Sequence, residues 1–137
     1  MRDSAAQRRA VAQRAQGRCE YCGVPDSTTL LPHEPDHIVA VQHGGKSVLG
    51  NLAYACFECN RFKGPNLTSI DPEDGAVTRL YQPRTDRWDA HFRWEGAVMV
   101  PLTPAGRATV RLLRLNQEDR VAFRANLLRP GHTFSEQ

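Results

Sequence analysis

Apolar positions along this 137-residue chain come in short runs rather than long stripes, and they predict a succession of small mixed elements. Ser4 to Gln16 is rich in Ala, Gln and Arg, which are good helix formers. Its apolar stripe is only Val11 and scattered Ala, which predicts a surface helix stopping at Gly17. Asp36 to Gln42 alternates and carries the β-branched Ile38, Val39 and Val41, which predicts a strand broken by His43-Gly44-Gly45-Lys46. Leu52 to Cys56 is apolar and short enough for a second strand, and Glu58 to Lys63 reads as a short helix stopped by Gly64-Pro65. A loop is expected from Asn66 to Gly75, then short strands around Val77 to Tyr81, His91 to Trp94 and Ala97 to Leu102.

The carboxyl end is expected to be helical. Thr103 can cap a helix with Pro104 at its first position, and Ala108, Leu112 and Leu115 form its apolar stripe. Asn116 and Asp119 have the spacing of a capping box for a second helix carrying Val121, Ala125 and Leu128, with the tail from Pro130 frayed. The fold class is therefore α+β, read as one domain over 1–137. No apolar run approaches the ~20 residues of a membrane-spanning helix. The start of the chain lacks the apolar core of a secretory signal, so a cytoplasmic protein without membrane contact, its thiols kept reduced, is expected.

That expectation bears on the four cysteines. They form two equal pairs, Cys19-x-x-Cys22 and Cys56-x-x-Cys59, with 33 residues between the pairs. A Cys-x-x-Cys turn aims two thiolates at one ion, and two such turns complete a tetrahedral sulfur site of the structural zinc type. Thiol redox chemistry accounts poorly for two pairs that use every cysteine. Zinc held by four thiolates has no open position and does no chemistry itself.

The cysteines would also draw Asp36, His37 and Asn60 together. A carboxylate and an amide oxygen are hard donors suited to Mg²⁺ or Mn²⁺, and a neighbouring imidazole can take a proton from attacking water. These are the parts of metal-assisted phosphodiester hydrolysis.

Cys19-x-x-Cys22, Asp36-His37-Ile38, Asn51-Leu52 and Cys56-x-x-Cys59-Asn60-x-x-Lys63-Gly64 resemble the HNH endonucleases of the ββα-metal fold. The spacing is similar to a zinc-clamped subgroup that includes junction-resolving and methylcytosine-specific restriction nucleases. The resemblance covers Cys19 to Asn66, about a third of the chain. It implies a nuclease core over 19–66, preceded by a helix and followed by a strand-and-helix extension over 76–129. It also implies that His37 is the general base, that Asp36 and Asn60 hold the catalytic cation, and that Asn51 braces the loop between the strands. Cleavage or nicking of DNA, in preference to RNA, would leave 5′-phosphate and 3′-hydroxyl ends. Many members carry His where this chain has Asn60. A site that cuts one strand is expected in a monomer or weak homodimer.

Charge adds less. The formal net charge is +3, and 16 of the 18 basic residues are Arg. Lys46, Arg61 and Lys63 flank the motif and suit backbone phosphates. Arg107, Arg111 and Arg114, with Arg120 and Arg124 on the next helix, form either a DNA-facing ridge or a solvated face. Trp88, Phe92 and Trp94 are expected in the core, because the chain has only ten aromatic residues of the Phe, Tyr and Trp type. His43 reads as a loop histidine, and His33 has no partner that the sequence identifies. The rival reading from another class is a non-catalytic zinc-containing module that binds nucleic acid.

Overall fold

The computed structural model describes residues 4–131. They are a mixture of helices and short antiparallel strands, the α+β class expected from the pattern. The chain divides into two compact units, Met1–Leu67 with Gln82–Thr85, and Thr68–Tyr81 with Asp86–Gln137. Among the described residues no helix is long and apolar enough to cross a membrane.

The first unit begins with helix α1, Ala5–Arg14. Ser4 caps it by a reciprocal box: Ser4 Oγ accepts from the Gln7 N–H, and Gln7 Oε1 accepts from the Ser4 N–H, both at 3.0 Å. Its one fully buried side chain, Val11, packs with Leu52 and Tyr54. Strands β1 (Glu34–His37) and β2 (Leu52–Ala55) pair antiparallel, with Asp36 opposite Ala53 and His37 opposite Leu52. Every residue of β2 is buried. Helix α2, Phe57–Lys63, follows after one residue, Cys56, which caps it.

Strand β1 departs from the sequence expectation. It lies two residues earlier than Asp36 to Gln42, and Val41–His43 is instead a single 3-10 turn. The cause is Asn51. Its Oδ1 accepts from the Val39 N–H at 2.9 Å, its Nδ2 donates to the Val39 carbonyl at 3.0 Å, and its own carbonyl accepts from Ile38. A side chain thus takes the backbone groups that a longer ladder would need.

The second unit holds two hairpins: β3 (Thr68–Ile70) with β4 (Val77–Arg79), and β5 (Phe92–Glu95) with β6 (Val98–Pro101). Strand β3 falls in the expected loop, because the turn proper is only the Asp71–Gly75 segment organised by Asp71. The Asp71 N–H donates to the Ala76 carbonyl, and its Oδ1 accepts from the Glu73 N–H. A short helix α3, Trp88–His91, leads into β5, and α4 (Pro104–Leu112) carries the expected Thr103 cap and Pro at N1. Trp88 and Phe92 are buried and Trp94 half-buried, the two indoles stacked at 5.3 Å.

Helix α5, Glu118–Leu128, corrects the expectation most. Asn116 does not cap it; its amide bonds both backbone groups of Met99. The buried face of α5 is Arg120 and Arg124 rather than Val121, Ala125 and Leu128. Arg120 donates to the Leu113 carbonyl at 2.6 Å, and Arg124 donates to Leu115 at 2.7 Å and Ala97 at 3.0 Å while lying over the Trp94 ring. Buried carbonyls beyond the end of α4 need donors, and a guanidinium supplies several at once. Arg107 is likewise engaged, binding both oxygens of buried Asp71 at 2.9 and 2.7 Å. Of the proposed arginine ridge, Arg111 and Arg114 alone are exposed.

The Arg107 guanidinium holds the Asp71 carboxyl below its ordinary value, helped by the Glu73 N–H. A depressed carboxylate contributes stability that is present above about pH 3.9 and is lost as pH falls through its folded-state value. Both tryptophans lie in the second unit, so fluorescence reports its unfolding. Asp71→Asn is expected to lower the melting temperature at pH 7 and to remove part of the acid-side loss seen in the parent chain; equal acid limbs in the two proteins would refute the assignment.

Candidate functional site

Two backbone features build the cysteine cluster. The Cys22 N–H faces Cys19 Sγ at 3.5 Å, and the Cys59 N–H faces Cys56 Sγ at 3.4 Å, so each pair is a turn closed onto its own first sulfur. The second turn is also the first turn of α2, which ties the cluster to the helix. All four thiols are buried, with ligand atoms within 4.8 Å of one another. Cys22 and Cys56 sulfurs are 3.8 Å apart. That is far beyond a disulfide bond, and metal–sulfur bonds of about 2.3 Å in a tetrahedron give sulfur–sulfur edges of about 3.8 Å. Burial pushes the Cys19 and Cys59 thiols well up from their ordinary values, so four thiolates can coexist here only around a cation. The donor set fits zinc.

His33, which the sequence left without a partner, supports this cluster. It is buried, and its Nε2 lies 2.8 Å from the Val24 carbonyl, which also accepts from the Cys19 N–H at 3.0 Å. The histidine thereby steadies the turn that presents the first pair.

Asp36 lies on β1, 5% exposed. Tyr21, inside the first cysteine pair, donates its hydroxyl to Asp36 Oδ2 at 3.2 Å, and Lys63 Nζ from α2 meets the same oxygen at 3.2 Å. Burial pushes the Asp36 carboxyl up, and Lys63 and Tyr21 pull against it. His37 is the next residue, half-buried at the end of β1, with Nε2 2.8 Å from Ser47 Oγ. Asn60 is half-buried on α2, one turn before Lys63 and therefore on the face of the helix that carries Lys63 to Asp36.

Asn51 grips the segment after β1 from both sides, since its Nδ2 also donates to the Lys46 carbonyl at 3.0 Å. The loop comes so close that a Cβ on Gly45 would stand 1.7 Å from the Val39 carbonyl oxygen. Lys46 and Arg61 are exposed, and His43 is an exposed loop residue. Lys63 is not the surface cation the sequence suggested. It is 3% exposed, and its ammonium also reaches the carbonyls of His37 and Ile38 at 3.4 and 3.5 Å. A buried Asp drew it inward, and nothing in the spacing distinguishes such a lysine from a solvated one. Tyr21, Ser47 and Lys63 thus join the site as residues whose roles the sequence concealed.

With this geometry, the HNH endonuclease family matches residues 19–66, the stretch that holds both cysteine pairs, Asp36, His37, Asn51 and Asn60. HNH domains are in general endonucleases that act on nucleic acid with divalent metals, which ties the segment to nucleic-acid chemistry. No curated protein and no solved structure matches the chain.

Two outcomes check this description. Cys56→Ser is expected to lose zinc by elemental analysis and to melt far below the parent, since a structural zinc carries much of the folding energy of a small domain; a zinc-free variant with unchanged melting would refute the clamp. Gly45→Ala is expected to lower the melting temperature because its Cβ meets backbone. Gly50→Ala, where a Cβ has open space, should change little. Equal melting of the two variants would contradict the close approach.

Proposed function

Starting from an HNH match that frames these residues, we propose that the chain is a metal-dependent endonuclease with a ββα-metal core, hydrolysing phosphodiester bonds of DNA. One observation carries the reading: buried Asp36, in the middle of the β1–β2 pair, is met by Lys63 from α2, with His37 next to it at the strand end and Asn60 one turn before Lys63 on the helix. Asp36 and Asn60 are the residues that would hold a Mg²⁺ or Mn²⁺ ion, both being hard oxygen donors. Such an ion would supply Lewis-acid stabilisation of charge developing on the phosphate and on the departing oxygen.

The remaining work falls to side chains. His37 takes a proton from the water that attacks phosphorus, the type of transfer for which imidazole is suited at neutral pH. The new bond forms from water oxygen to phosphorus as the bond to the 3′ oxygen breaks, and the departing oxygen takes a proton from bulk water, leaving a 5′-phosphate and a 3′-hydroxyl. Asn51 holds the Val39 and Lys46 backbone, which limits movement of the loop that follows the base. Lys63 supplies the positive charge that keeps a buried carboxylate tolerable and bridges α2 to the backbone of His37. Exposed Lys46 and Arg61 would meet backbone phosphates and position the strand without reading its sequence.

One observation favours a second reading. Lys63 already gives Asp36 a resident cation, an arrangement that a non-catalytic zinc-bearing module for nucleic acid would also retain. A supercoiled-plasmid assay with Mg²⁺, Mn²⁺ or EDTA separates the two. Metal-dependent nicking is expected, falling by about 10²- to 10⁴-fold in His37→Ala, the range a general base supplies. The variant should keep its zinc and its melting temperature. A parent chain that binds plasmid, junction or single-stranded DNA and cuts none of them would leave the binding module as the reading.

A further inference from the structure

We infer that helix α1, which lies outside the matched segment, takes part in the reaction by positioning His37 through Ser47; the inference rests on His37 being the general base.

Ser47 lies half-buried in the loop between β1 and β2 and makes two contacts of different kinds. Its hydroxyl is 2.8 Å from His37 Nε2. Its backbone carbonyl accepts from Nε2 of Gln7, forty residues earlier on α1. The Gln7 amide is divided between two tasks: Nε2 donates to Ser47, and Oε1 accepts from the Ser4 N–H in the helix cap. The helix is itself pinned. Val11 packs on Leu52 and Tyr54, and Arg14 donates to the carbonyls of Leu49 and Leu52. An unbroken line of contacts therefore runs from a fixed helix through Gln7 and Ser47 to the imidazole.

An imidazole that takes a proton at one nitrogen is held by the other, and the partner of that other nitrogen fixes both tautomer and ring rotation. The Ser47 hydroxyl and His37 Nε2, 2.8 Å apart, hold the ring in one rotation. Ser47 and Gln7 are positioning residues: neither is assigned contact with phosphate.

Three variants test this. Ser47→Ala removes the partner of Nε2, and Ser47→Thr keeps a hydroxyl. Gln7→Glu keeps an oxygen for the Ser4 N–H, and so the helix cap, but sets a carboxylate against the Ser47 carbonyl. In metal-dependent nicking, Ser47→Ala is expected to lose about 10- to 100-fold in kcat, the usual cost of removing a partner that orients a working side chain. KM for plasmid should hold, Ser47→Thr should recover most of the rate, and Gln7→Glu should lose rate without a fall in zinc content or melting temperature. Imidazole ¹⁵N shifts, with His37 assigned by its absence in His37→Ala, should move in Ser47→Ala, as loss of the Nε2 partner requires. Unchanged shifts in Ser47→Ala overturn the inference whether or not the parent cuts DNA. Unchanged kcat in both Ser47→Ala and Gln7→Glu, or a loss confined to KM, also overturns it. A parent with no nicking but the expected shifts would defeat the nuclease reading while leaving the geometric assignment of Ser47 standing.

Discussion

The 3.8 Å between the sulfurs of Cys22 and Cys56 is the distance on which the first unit depends. Helix α1 contributes one fully buried apolar side chain, Val11, which packs with Leu52 and Tyr54. The other buried apolar side chains of the unit, Tyr21, Val24, Ile38, Ala53 and Ala55, lie on or next to the segments that carry the cysteines, so their burial depends on the cysteine turns being in place. Bringing four thiols together closes a loop of 33 residues and at the same stroke delivers the parts of the site. Tyr21 sits between the first two sulfurs and reaches Asp36; Cys56 caps α2, whose last residue, Lys63, reaches the same oxygen. The carboxylate is thus fixed from both cysteine turns, and its geometry follows from theirs.

What the sequence made legible was whatever depended on local chemistry. Two Cys-x-x-Cys pairs, a surface helix whose apolar stripe is Val11, an apolar strand before the second pair and a helix stopped at Gly64 all follow from residue types at short spacing, and the structure has each of them. Three of the failures share one cause, a side chain standing in for backbone or solvent over a long distance in sequence. Ile38, Val39 and Val41 have strand character, yet Asn51, twelve residues on from Val39, takes the bonds a strand would make. Asn116 has the look of a helix cap but serves Met99 instead. Lys63 has the look of a phosphate contact, and a buried carboxylate claims it. Propensity carries no record of which polar group will be left unsatisfied when the chain folds, so such substitutions are invisible before the fold is known.

Arginine shows the same principle at the level of composition. The sequence left a DNA-facing ridge and a solvated face both open for these arginines, but Arg107, Arg120 and Arg124 are bound to a carboxylate or to carbonyls within the second unit. Guanidinium is weakly hydrated for a cation and has five donors in one plane, so it can replace apolar side chains on the inner face of α5 without leaving buried carbonyls bare. The charge available to attract a polyanion is therefore smaller than the count of basic residues implies.

The first unit is not one continuous stretch of chain. Arg84, from the Gln82–Thr85 segment, pairs with Glu20, whose other oxygen accepts from the Tyr54 N–H at 2.7 Å, and Glu20 lies between the first two cysteines. During synthesis the cysteine turns, both strands and α2 therefore emerge before the residue that completes their charge balance. Until the β3–β4 hairpin has also been made, Glu20 stands beside the strand without its guanidinium. The ion pair on Glu20 thus forms only once residues coded beyond the motif have been made.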